Sequence, residues 1–179
     1  MKQKISLVTL MLLSVAWAVA VASLSANNIT TGSLNETVEA IQHPFELVLK
    51  LNKTTYSLGE TVNITISLTN ISDENVKISL LAGGDPKSQF DFLIYDGSND
   101  PIYRYSAHRG YYAGGPSVFL APNQNITASY LWEQHDDDGG VVAEGKYFVV
   151  GRTHQIFYLD HSLSLETPRL EITIEKWTS

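Results

Sequence analysis

From Phe45 onward, apolar and polar residues alternate with a period of two. Phe45, Leu47, Leu49 and Leu51 are interleaved with Glu46, Val48 and Lys50, and Val62, Ile64, Ile66 and Leu68 with Asn63, Thr65 and Ser67. Successive side chains of a strand point to opposite faces, so each run predicts a strand with one face buried and the other in water. The same signal predicts strands near 76–80, 90–94, 102–105, 117–120, 126–132, 147–150 and 170–174. Turn-forming clusters separate them: Gly83-Gly84-Asp85-Pro86, Asp96-Gly97, Asn99-Asp100-Pro101, Gly114-Gly115-Pro116, Pro122-Asn123 and Asp138-Gly139-Gly140. No stretch past residue 44 keeps a helical period for three turns. About eight short strands with turns every 8–12 residues predict an all-β fold, an antiparallel immunoglobulin-like β-sandwich over residues 45–177.

Before residue 45 the pattern changes twice. Lys2 and Lys4 precede an uncharged run from Ile5 to Ala22, which ends among small residues suited to cleavage. This predicts a signal peptide or signal anchor over residues 1–26, an export helix ahead of the sandwich. Residues 27–44 are polar, with no sustained apolar period, and predict a disordered linker. Export implies an extracellular or cell-surface location, with membrane contact only through the amino-terminal segment if it is uncleaved. Six Asn-x-Ser/Thr triplets, at Asn28, Asn35, Asn52, Asn63, Asn70 and Asn125, become glycosylation candidates. With ten asparagines in the chain, chance supplies only about two such triplets.

Charge and composition exclude more than they assign. The 179 residues carry 12 basic and 19 acidic side chains, a net of −7. Without Lys2 and Lys4, ten basic groups face the same 19 acidic ones, a net of −9. Such a surface repels a phosphate backbone, so nucleic acid is not an expected partner. The absence of cysteine excludes disulfides, thiol catalysis and cysteine-ligated metals. No serine sits in G-x-S-x-G, no glycine-rich phosphate loop precedes a helix, and the sequence predicts neither enzyme nor cofactor. His43, His108, His135, His154 and His161 form no metal-binding pair in sequence. Asp136, Asp137 and Asp138 ahead of two glycines offer oxygen ligands for calcium. Adjacent aspartates point in different directions, however, so a solvated hairpin tip with no metal is the expectation.

An ordered set of motifs resembles the BsuPI-type intracellular proteinase inhibitor domain across residues 46–152. Leu68-Thr69-Asn70 is followed by Val76-Lys77-Ile78. Gln89-Phe90-Asp91-Phe92-Leu93-Ile94-Tyr95-Asp96 matches the family's Q-aromatic-D-F-x-V-x-D strand, and Pro101 to Ser106 stands where the family has x-V-W-R-W-S. Leu120 with Pro122-Asn123 takes the place of L-x-P-G-E, Trp132 lies one strand further on, and Glu144-Gly145-Lys146-Tyr147 matches P-G-x-Y. Tyrosines at 103 and 105 replace tryptophans, Asn123 replaces glycine and Glu144 replaces proline, exchanges that keep the architecture. The resemblance implies a sandwich that binds a proteinase, and it carries no inhibitory residue onto a position here.

The remaining candidates come from residue chemistry. Phe90, Phe92, Tyr103, Tyr105, Trp132 and Tyr147 read as core and cross-strand pairs, and Asp91 reads as a partner for Arg104 on the neighbouring strand. The irregular stretch from Ser106 to Ser117 contains His108, Arg109, Tyr111 and Tyr112 between glycines. Tyrosine and arginine are good contact residues, so this loop is the candidate binding surface, with Arg109 the side chain a protease pocket would accept. The expected function is a protein-binding module that inhibits a proteinase by non-covalent, loop-mediated blocking. The alternative is a cell-surface structural or adhesion module that contacts another surface protein.

Overall fold

The computed structural model describes residues 36–79, 85–109, 115–158 and 161–176. Among them are thirteen strands and no α-helix: β1 (Glu36–Gln42), β2 (Phe45–Leu51), β3 (Thr55–Ser57), β4 (Val62–Asn70), β5 (Val76–Ser79), β6 (Phe90–Tyr95), β7 (Pro101–Arg104), β8 (Ser117–Leu120), β9 (Asn125–Trp132), β10 (Gly145–Thr153), β11 (Ile156–Tyr158), β12 (His161–Leu163) and β13 (Leu170–Glu175). Two short 3-10 turns, Pro86–Ser88 and Tyr105–His108, flank the β6–β7 hairpin.

The strands form three sheets, ordered β1-β2-β4-β9, β3-β13-β10-β6-β7 and β12-β11-β5-β8. All their pairings are antiparallel except β3 with β13, where Tyr56 lies beside Ile174 in a parallel register. The alternation does what it predicts. Leu47 pairs with Leu68 and Leu49 with Ile66 across β2 and β4, and all four side chains are buried. On β9, Ala128, Tyr130 and Trp132 complete that inner face, while Asn125, Thr127 and Ser129 face out. The second sheet closes over it with Phe90, Phe92, Ile94, Val149, Ile172 and Ile174, all in one buried cluster. The third sheet adds Val76, Ile78, Leu120 and Ile156 to the same core.

Gly151 of β10 faces Ile66 of β4 and Leu49 of β2 across the two sheets. A Cβ there would lie 3.3 Å from Ile66 Cδ1 and 3.4 Å from the Cβ of Leu49, so the absence of a side chain sets the spacing.

Several expectations change. Residues 36–42, expected in the linker, form β1, an edge strand exposed along most of its length that packs through half-buried Val38. It turns into β2 at a cis His43–Pro44 peptide. Thr55–Ser57, between the first two predicted strands, forms β3, and β11 and β12 are additional short strands. The expected export helix over residues 1–26 lies outside the described residues. Among those described, no helix is long and apolar enough to cross a membrane.

Candidate functional site: an anchored loop base

The candidate loop leaves the second sheet at the end of β7. Asp91, on β6, is buried completely although it lies between Phe90 and Phe92 in an apolar strand. Burying a carboxylate without partners is costly. Here Oδ1 accepts the backbone N–H of Ser106 at 2.9 Å, and Oδ2 accepts the Ser106 hydroxyl at 2.7 Å. The Arg152 guanidinium donates to Oδ2 from Nη2 at 2.7 Å and from Nε at 3.2 Å. One carboxylate thus fastens β6, β10 and the first turn of the loop.

Arg152, and not the expected Arg104, is the charge partner. The β6–β7 register sets Arg104 beside Leu93, whereas β10 sets Arg152 directly opposite Asp91.

Tyr105 begins the 3-10 turn with its ring buried against Phe92, 5.3 Å away and stacked, and edge-on to Tyr130 at 4.6 Å. Burial pushes the Tyr105 hydroxyl above its ordinary range, with Arg109 opposing the shift. The exposed Arg109 lays its guanidinium over the outer side of this ring, 4.3 Å from the centroid. Its backbone N–H returns to the Ser106 carbonyl at 3.2 Å. His108 ends the turn; Tyr111 and Tyr112 lie outside the described residues. The structure therefore fixes the base of the candidate loop and places Arg109 at its surface.

The other expected aromatics hold as core. Phe90, Phe92, Trp132 and Tyr147 are buried, and half-buried Tyr103 packs between Phe92 and Trp132.

The acidic tip is differently employed. Asp136 Oδ1 accepts the N–H groups of Gly140 at 2.6 Å and Asp138 at 3.1 Å, closing its own hairpin. Asp137 lies along the free edge of β7, donating its N–H to the Ile102 carbonyl and accepting the Arg104 N–H, each at 2.9 Å. Among the described residues no group of three or more histidine, aspartate and glutamate side chains is arranged to hold a metal ion. Sequence reasoning also missed Gln134. Its buried amide accepts from Gly59 N–H and donates to the carbonyls of Ser57 and Glu60, pinning the β3–β4 turn.

Of the glycosylation candidates, Asn63, Asn125 and Asn52 are exposed, and Asn28 and Asn35 lie outside the described residues. Asn70 is a correction. It is completely buried, and its amide nitrogen donates to the carbonyls of Glu74 at 2.7 Å and Leu120 at 2.8 Å. A glycan needs that nitrogen in solvent.

The described residues thus form an all-β domain whose candidate loop is braced from beneath by Asp91. Residues 49–154 match the BsuPI family, described as intracellular proteinase inhibitor, and the chain belongs to that family. The match runs from within β2 to the end of β10 and contains the Asp91, Ser106 and Arg152 knot. It also overturns the expected extracellular or cell-surface location, because the family is described as intracellular.

No curated protein sequence matches the chain. Solved structures with similar stretches include the DNA glycosylase AlkC of Pseudomonas fluorescens, 11% identical over 70% of this chain and 28% of that one, with a TM-score of 0.36. A Listeria innocua β-glucosidase is 13% identical over 82% of this chain and 17% of its own, with a TM-score of 0.38. The C-terminal domain of wzt is 8% identical over 82% and 83%, with a TM-score of 0.43. The chain spans less than a third of the first two proteins.

Proposed function

We propose that this protein inhibits a proteinase by binding it, without covalent chemistry, through the 105–116 loop at one end of an immunoglobulin-like sandwich. The observation that carries this reading is the buried Asp91, whose two oxygens clamp the loop's first turn to β10. A loop held at its base loses less conformational entropy on binding, which favours affinity. Family membership supplies the partner class, a proteinase.

Within the loop, Arg109 is the side chain offered to the cleft. Lifting it off Tyr105 forfeits a cation–π contact of about 0.5–1 kcal/mol, little beside what a guanidinium gains in an acidic pocket. The test is inhibition of a panel of serine, cysteine and metalloproteinases by the purified protein. Inhibition of a trypsin-like member that Arg109→Ala weakens about tenfold or more, with unchanged melting, is expected. Complete inactivity across the panel overturns the reading.

A further inference from the structure

We infer that the outer face of the second sheet is an arginine-lined surface that docks an acidic segment of the same proteinase; this rests on the reading proposed above. Register defines the face. Phe92 and Ile94 of β6 point into the core, so Asp91, Leu93 and Tyr95 point away from it, and their β10 partners Arg152, Val150 and Phe148 go with them. Leu93 and Val150 are buried yet stand outside the core cluster. Arg104 pairs with Leu93 and is exposed. Arg169, just ahead of β13 and also exposed, lays its guanidinium 4.2 Å from the Tyr95 ring centroid and 6.0 Å from that of Phe148. Three of the chain's four arginines thus share one face.

The fourth, Arg109, is reached through described chain. Arg104 ends β7, the 3-10 turn to His108 follows at once, and Arg109 comes next. Ser106 ties that turn to this face, because its N–H and its hydroxyl both go to Asp91. Two carboxylates of the face are already spent. Asp91 is taken by Arg152 and Ser106, and Glu171, which pairs with Phe148, binds Lys146 at 2.8 Å. Glu166, bridged to Arg152, and Asp137, at the edge of β7, lie beside the face. Even so, neither Arg104 nor Arg169 forms an ion pair among the described residues.

Charge and spacing choose the occupant. A guanidinium fork matches a carboxylate with two parallel hydrogen bonds, and arginine is enriched in protein interfaces where lysine is depleted. β10 and β6 lie between β13 and β7, so at about 4.8 Å per strand Arg104 and Arg169 rise from backbones about 14 Å apart. Carboxylates roughly four or five residues apart on an extended segment match that span. The net of −9 that remains without Lys2 and Lys4 repels a phosphate backbone, so the acidic partner is a protein.

The experiment measures association of the full chain with the proteinase that the panel identifies, at low and at physiological salt. Arg104→Glu combined with Arg169→Glu should slow association about tenfold or more and flatten its salt dependence, with melting unchanged. Because Arg169 stacks on Tyr95, Arg104→Glu alone is the second variant, and it should slow association in the same direction by less. Lys50→Glu, the same charge change on the exposed face of β2, should leave the rate within about twofold of the parent. Association unaltered by the double reversal, or slowed as much by Lys50→Glu, overturns the inference, while inhibition that Arg109→Ala still weakens spares the loop. A panel in which nothing is inhibited overturns both. Retention of the parent on duplex DNA that the double reversal abolishes, with the association rate unchanged, assigns the face to a polyanion and overturns the inference too.

Discussion

The acidic hairpin at 134–140 lies along β7 and the turn at 105–109 follows it in the chain, and both look in sequence like places where something binds. One concentrates three aspartates; the other has arginine beside glycine and tyrosine. In the hairpin, Asp136 spends Oδ1 on the hairpin's own backbone N–H groups, Asp137 is taken up by the Arg104 N–H at the edge of β7, and Gln134 ties the neighbouring turn. In the loop, the stabilising charge lies beneath, on β6 and β10, and Arg109 remains at the surface. A cluster of charges that satisfies its own backbone closes a structure. A buried charge that holds someone else's backbone presents one.

The sharpest way to break this contrast is Asp91→Ala. It leaves Arg152 and both Ser106 donors without their acceptor, at an expected cost of about 3 kcal/mol in urea unfolding, together with loss of inhibition. A variant that melts and inhibits like the parent would show that the knot braces nothing.

On the hairpin side, Gln134→Ala removes three hydrogen bonds from a buried amide and should cost about 2 kcal/mol in the same measurement. Because that amide serves only the β3–β4 turn, inhibition by the folded variant should be unchanged. If inhibition fell with it, the two regions would be coupled, and the contrast would fail.

A smaller effect separates them by pH. His154, two residues beyond Arg152, has its imidazole pushed below the ordinary 6.5 by burial, with Asp91 opposing and Arg152 adding to the shift. The unfolded chain therefore takes up the proton first, and stability falls as pH drops through about 6.5 toward the folded value. His154→Gln should flatten that part of the stability curve; an unaltered slope would assign the dependence elsewhere.

The least effect is expected at the exposed Asp138. Asp138→Asn should change stability by no more than about 0.5 kcal/mol, and calcium should leave the melting temperature of the parent unmoved. A rise in melting temperature with calcium that Asp138→Asn abolishes would turn the hairpin into a site.

What the sequence made legible was whatever depends on local alternation. β2, β4, β9 and β13 could be read because one buried face leaves a period of two. β1 escaped because an edge strand that half-buries only Val38 and Ala40 carries little apolar signal, and β3 because its three residues are held by a partner more than a hundred positions away, as Thr55 is by Thr173. The site was legible as a loop but not as an anchored one. Asp91 pointed to Arg104 by nearness in the hairpin, while the true partner depended on which strand lies on the other side of β6, a fact of topology. Asn70 failed in the same way: the triplet is local, but its amide is taken up by the Leu120 carbonyl, on β8.

The place of β13 has a consequence for how the protein is made. β13 lies between β3 and β10 inside the second sheet, and the family match ends at residue 154, before it begins. During synthesis, everything up to β10 emerges while the slot that Ile172 and Ile174 will fill is still empty. The edges of β3 and β10 stay open until β13 arrives. A fragment cut to the limits of the family match would keep the loop and its knot but stay in that unfinished state.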